Sequence, residues 1–195
     1  MTLSSIISLV VMTLREPRSV AQIMLALDWP RAARWQALFL ISILSIMVVQ
    51  LMQIAMGTTA EMVLMGQPVG VAVGLGIGQM VMLIAGVYAM AIIGRWVGGR
   101  GDLDGAIILV TWLQVVLFGF QVLQVLLLFI LPPLSDVLAL GAFVISFWLL
   151  TVFVAELHGF QRLSVVFLGI VATLIGLAIG LAIILSLMGV SVVGI

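Results

Sequence analysis

Cysteine and lysine are both absent from this sequence, and histidine occurs once. Without cysteine there are no disulfides and no thiolate metal sites, and the commonest redox chemistry is excluded. One histidine cannot form a histidine metal cluster. Charge is scarce too, with seven arginines against seven acids and a formal net charge of zero. Charged residues make up 7% of the chain, where soluble domains carry about 25%. A water-exposed surface cannot be built from so few, and no basic face is available for nucleic acid. No cofactor is expected.

What is present is apolar: 65% of the 195 residues are hydrophobic, with a mean hydropathy of +1.48. The runs are continuous rather than alternating in segments of about ten, which points to helices and not a barrel. The expected class is an all-α membrane protein, a five-helix transmembrane bundle with an N-terminal interfacial amphipathic helix. The lack of lysine fits a GC-rich coding bias and hints at a bacterial inner membrane.

The arginines alternate. Arg15, Arg18, Arg31 and Arg34 precede the first long apolar run, Arg95 and Arg100 lie between the second and third, and Arg162 between the fourth and fifth. Basic residues near span ends are retained in the cytoplasm. The expected division is a cytoplasmic or interfacial segment, 1–34, and a membrane domain, 35–195. Spans are expected at about 35–56, 69–93, 105–131, 134–157 and 163–188. Five spans place the N-terminus inside and the C-terminus outside. They do not divide into two equal inverted halves, as many secondary transporters do.

In the N-terminal segment, Val20, Ile23, Met24 and Leu27 follow the spacing of one helical face, started by Pro17 or Ser19 and ended by Asp28-Trp29-Pro30. This helix serves as an anchor or a binding element. The preceding run, Leu3 to Leu14, has the length of a signal-peptide core. No basic residue precedes it and no small-residue cleavage site follows, so cleavage is not expected.

Four groups of residues stand out within the membrane and its inner edge. Gly70, Gly74, Gly78, Gly86 and Gly94 share a spacing of four on span two, and Gly176 and Gly180 repeat it on span five. Such stripes let helix backbones approach closely, within the chain or between copies. Thr111, Gln114, Gln121 and Gln124 share a face of span three; Ser42, Ser45, Gln50 and Gln53 share one on span one, and Gln79 adds to them. Amides facing lipid are costly, so these faces point inward, either to bond one another or to line a polar path. Glu156, His158 and Arg162 gather at the inner end of span four. They are too few for a metal or acid–base site unless distant residues join, and Glu156 is expected to pair with Arg95, Arg100 or Arg162. Finally, Gly98-Gly99-Arg100-Gly101-Asp102-Leu103-Asp104-Gly105 sets two acids before span three, where a carboxylate can cap the helix.

At this turn the chain resembles the bacterial branch of the Yip family, the Ypt-interacting-protein domain. The resemblance rests on Leu14-Arg15-Glu16-Pro17-Arg18 followed by Val20 to Leu27, on five spans, and on Gly98-Gly99-Arg100-Gly101-Asp102-Leu103 leading into span three. It implies the fold. Eukaryotic members are associated with small GTPases of vesicle traffic and with membrane shaping. Their Asp-Leu-Tyr-Gly-Pro motif before the first span is missing here, and Asp102-Leu103-Asp104-Gly105 lies elsewhere, so GTPase binding does not transfer.

The leading expectation is a non-enzymatic scaffold or membrane-organising protein. Its partners would be the lipid bilayer, a second copy of itself and an unknown cytoplasmic protein. Arg100, Asp102, Asp104, Glu156, His158 and Arg162 are the candidate interaction residues. The rival is a small-solute or lipid transporter or channel using Gln50, Gln53, Gln114, Gln121 and Gln124. An enzyme would need Glu156, His158, Asp102 and Asp104 to converge.

Overall fold

The computed structural model describes residues 3–55 and 70–187. They form seven helices: α1 (Leu3–Arg15), α2 (Pro17–Leu25), α3 (Arg31–Ala55), α4 (Gly70–Trp96), α5 (Leu103–Ile130), α6 (Pro132–His158) and α7 (Leu163–Leu187). No strand occurs among the described residues. The last five helices are long and apolar enough to cross a membrane, with mean hydropathies of 2.0 to 2.5 over their apolar stretches. The all-α, five-span architecture follows from this. The polar external loop expected around Glu61, Gln67 and Pro68, and the short apolar tail expected after the fifth span, fall outside the described residues.

Each long helix satisfies its own backbone, the only way an open chain can cross hydrocarbon. The boundaries are set by residues that cannot continue a helix. Leu131 is extended between α5 and α6, and Pro132 and Pro133 take the first positions of α6, where a missing N–H costs nothing. Gly159 ends α6 at φ 75°, a left-handed conformation suited to glycine.

The core lies toward one end of the bundle. Helix α5 is its centre, packed by α6, α3, α4 and α2. Its first half, Gly105 to Leu113, is continuously buried, whereas Val122, Leu123, Leu126 and Phe129 further along are exposed. The asymmetry comes from α1 and α2, which fold back over this end and pack against α5 and α6. All seven arginines lie on, or in the turns beside, helix ends at this same end.

The N-terminal segment holds two helices, α1 and α2, of which α2 is the expected one. Its end and its buried face are corrected: it stops at Leu25 rather than near Asp28. The buried face of α2 is Pro17, Val20, Ala21 and Met24, while Ile23 is 43% exposed. Docking on α6 and α5 selects the face containing the small Ala21, because a small side chain lets the helix sit close.

Candidate functional site

The most constrained part of the arginine end is built around His158. The ring is buried at 3% exposure, at the last residue of α6. The Gly101 backbone N–H donates to Nδ1 at 3.1 Å, and Nε2 lies 2.9 Å from the Met90 carbonyl. Nδ1 is thus the acceptor, so Nε2 carries the proton and donates to Met90. That assigns the neutral tautomer from the bonding pattern. Phe160 stacks on the ring at 5.5 Å. Three glycines make room for it: a Cβ at Gly94 would stand 2.1 Å from Nε2, one at Gly99 2.4 Å from Nδ1 and one at Gly101 2.6 Å from Cε1. One side chain therefore ties the end of α4, the turn after it and the end of α6.

Among the acids of this end, Asp104 and Glu156 join pairs of elements, and Asp102 caps a helix. Asp102 caps α5 by accepting from the Gly105 N–H at 2.8 Å, satisfying one of the orphan donors of that helix. Asp104 accepts from Arg31 Nε at 2.9 Å and Nη2 at 3.1 Å, a two-pronged pair linking α5 to α3, with Arg34 Nη1 at 3.6 Å. Glu156 accepts from the Gln22 amide at 2.6 Å and so ties α6 to α2. The expected arginine partner of Glu156 is corrected. Its carboxylate faces α2, whose docked face brings Gln22 within reach, and Arg95, Arg100 and Arg162 form no ion pair among the described residues. Arg100 is exposed, and its backbone N–H lies 3.4 Å from the His158 carbonyl.

A second feature lies inside the bundle. A cavity of about 480 Å³ runs between α4 and α7, floored by Val110, Leu113 and Gln114 of α5 and by Leu150 and Val154 of α6. Gln161 and Arg162 stand at its arginine-end mouth. A chamber of about 230 Å³ adjoins it, lined by Ser42, Ser45, Gln79 and Gln114 among others, and shares Gly86, Leu174 and Leu177 with it. Ser42 bonds the Leu38 carbonyl. The Ser45 hydroxyl, at 2% residue exposure, has no hydrogen-bond partner.

A family model described as the Yip1 domain matches residues 11–189. The chain belongs to that family. No curated protein and no solved structure resembles it significantly.

This Yip1 domain brings some of the expected residues together and separates others. Asp102, Asp104, Glu156 and His158 share one end, but each bonds a different element. No group of three or more metal-ligating side chains occurs among the described residues. Close packing within the chain is corrected at four of the four-spaced glycines: at Gly74, Gly78, Gly176 and Gly180 an added Cβ would meet nothing within 4 Å. Gly70 opens α4. The stripes face open space because α4 and α7 lean on the bundle by other faces. The tight glycines are Gly94, Gly99, Gly101 and Gly105, where a Cβ would meet His158 or Leu157.

The glutamines also divide. Gln114 lines both cavities. The Gln121 carbonyl oxygen is buried without a hydrogen-bond partner, whereas Gln50 and Gln53 each have an interaction. At Gln124 it is the backbone carbonyl that accepts, from Ser135. Sequence reasoning missed Thr13, whose hydroxyl accepts from the Trp112 indole N–H at 2.9 Å and donates to the Leu9 carbonyl at 2.7 Å. No spacing signal connects residues 99 apart.

Proposed function

We propose that this Yip1-domain protein is a non-catalytic scaffold of a bacterial inner membrane, with residues 1–34 as part of a cytoplasmic platform and 35–195 as the membrane domain. The observation that carries this reading is the use made of the ionisable groups. Asp104, Glu156 and His158 each join two structural parts of the arginine end, and Asp102 caps the start of α5. Groups held this way give a rigid face suited to partner contact. Arg100 and Arg162 remain exposed on that face as contacts for a cytoplasmic protein. Open glycine faces on α4 and α7 support self-association, since small residues let helices of two copies approach. With Gly176→Cys as the sole cysteine, oxidised membranes should yield a cross-linked dimer. A chain that stays uncross-linked across the range of expression levels would overturn self-association.

The orientation follows from the arginine rule. Asp136→Cys should react with an impermeant thiol reagent applied to intact cells, and Arg100→Cys and Arg162→Cys should react only after the membrane is opened. Labelling of Arg100→Cys from outside would reverse the topology.

The cavity under Gln114 favours a second reading, transport of a small solute or lipid. Solute flux into reconstituted vesicles that falls on Gln114→Leu would select it over the scaffold.

A further inference from the structure

The groove between α4 and α7 has no occupant among the described residues. The two helices are scarcely in contact, and the space between them is lined by apolar side chains such as Met82, Val87, Val166 and Ile170. Gly86 and Gly169 belong to its lining, and an added Cβ at either would meet nothing within 4 Å. The lining of α7 extends from Arg162 to Leu177, a rise of roughly 22 Å at about 1.5 Å per residue. Half of a hydrocarbon core is about 15 Å, so the groove is at least as deep as one leaflet. At its far end the lining turns polar, at Gln114 and the adjoining Ser42 and Ser45, which limits how far an apolar chain can extend.

The mouth has the opposite chemistry. Arg162 is exposed and forms no ion pair among the described residues, and Gln161 stands beside it. Helix α7 begins at Leu163, so the first backbone N–H groups of a long helix, and its positive end, lie at the same place. A guanidinium with free amide donors suits a phosphate.

We propose that the α4–α7 groove binds one anionic phospholipid of the leaflet at the arginine end, with one acyl chain in the groove and the phosphate at Arg162 and the start of α7. Charge complementarity selects the headgroup, because a zwitterionic lipid carries its own cation beside the phosphate and gains less from Arg162. Size selects a lipid over a protein occupant. A helix about 10–12 Å across with its side chains does not fit a slot of about 480 Å³, a volume typical of small-molecule sites, which run from about 300 to 1,000 Å³.

Native mass spectrometry of the full chain in detergent, titrated with phosphatidylglycerol or phosphatidylcholine, tests this. One phosphatidylglycerol per chain should be retained, at a concentration roughly five- to tenfold below that needed for phosphatidylcholine, the effect of one well-placed arginine on a phosphate. Arg162→Gln should bring the two lipids within about twofold of each other. Gly86→Leu combined with Gly169→Leu should abolish the one-to-one adduct by filling the groove, since a Cβ at either site meets nothing within 4 Å and both glycines line it. Gly176→Leu, on the same helix but outside the lining, should leave the adduct intact. Equal retention of the two lipids by the unaltered chain would overturn the proposal. So would an unchanged adduct in the filled variant, or a dimer in place of a lipid adduct as the species that filling removes. The lipid arm reads stoichiometry per chain, so its outcome is separate from the cross-linking that tests self-association.

Discussion

Gly94→Ala should destabilise the protein more than any change to the glycine stripes of the membrane faces. Its Cβ would stand 2.1 Å from His158 Nε2, 2.4 Å from Cε1 and 2.6 Å from Cδ2. The ring cannot swing aside cheaply, because it is buried, bonded through both nitrogens and stacked on Phe160. Either the imidazole leaves its site, stranding the Gly101 N–H, or α4 moves off α6. Overpacking costs about 1–3 kcal/mol, and an unsatisfied buried polar group adds about 1–3 kcal/mol. A total of roughly 2–6 kcal/mol is a large part of the stability of a domain. His158→Ala should cost a similar amount through lost bonds and a cavity. The two changes act on one contact, so they should not add. In the His158→Ala background, Gly94→Ala should cost under about 1 kcal/mol. Thermal or denaturant unfolding in detergent reads all four proteins of the cycle, with Gly74→Ala as the comparison expected to shift little. Additive losses would show that the glycine and the ring do not share a site.

The same contrast explains what could be read from the chain alone. A spacing of four is visible for Gly74, Gly78, Gly86 and Gly94 alike, but a tight approach depends on what the neighbouring helix presents. Only Gly94 of that stripe meets a ring; Gly74, Gly78 and Gly86 meet nothing within 4 Å. Burying His158 against glycine backbone needs α6 and the 97–102 turn in register, and no local pattern encodes that. Glu156 is similar. Its charge was legible, but not that α2 docks on α6 and supplies Gln22. The arginine alternation was legible because an arginine is expensive in hydrocarbon wherever the chain folds, so its positions mark span ends without reference to packing. The role of Asp102 was legible for a related reason, since a cap is a contact between residues three apart. The groove between α4 and α7 was not, because it is an absence of packing between helices that are each apolar all round.

Thr13→Val should release α1 from the bundle. The Thr13 side chain is fully buried, and its hydroxyl holds the Trp112 indole N–H at 2.9 Å. Trp112 is itself 7% exposed, inside the most covered stretch of α5. Valine matches threonine in shape but offers no acceptor, so the indole N–H would lose its partner where water does not reach. That costs about 1–3 kcal/mol. The penalty falls on docking rather than on the helix, because the hydroxyl's other bond, to Leu9 of the same helix, does not hold α1 to the bundle. Helix α1 is 13 residues long and exposes Ile7 and Val11 while Leu9, Val10 and Met12 pack on the core cluster. A loss of this size is comparable with what holds so short an element in place, since an isolated helix of about 12–15 residues is marginal on its own. Hydrogen exchange in detergent should therefore rise in residues 3–15 by roughly five- to a hundredfold, following about 1–3 kcal/mol, while α5 and α6 keep their protection. Trp112→Phe removes the donor and should spare α1 most of that polar penalty, leaving the smaller cost of the volume lost. Adding Thr13→Val to Trp112→Phe should then change little. If Thr13→Val raises exchange equally in both backgrounds, α1 is held by its apolar face alone and the hydroxyl is incidental. A rise confined to the Trp112-containing protein would identify this bond as what fixes α1 over the arginine end, and with it half of the platform that the scaffold reading requires.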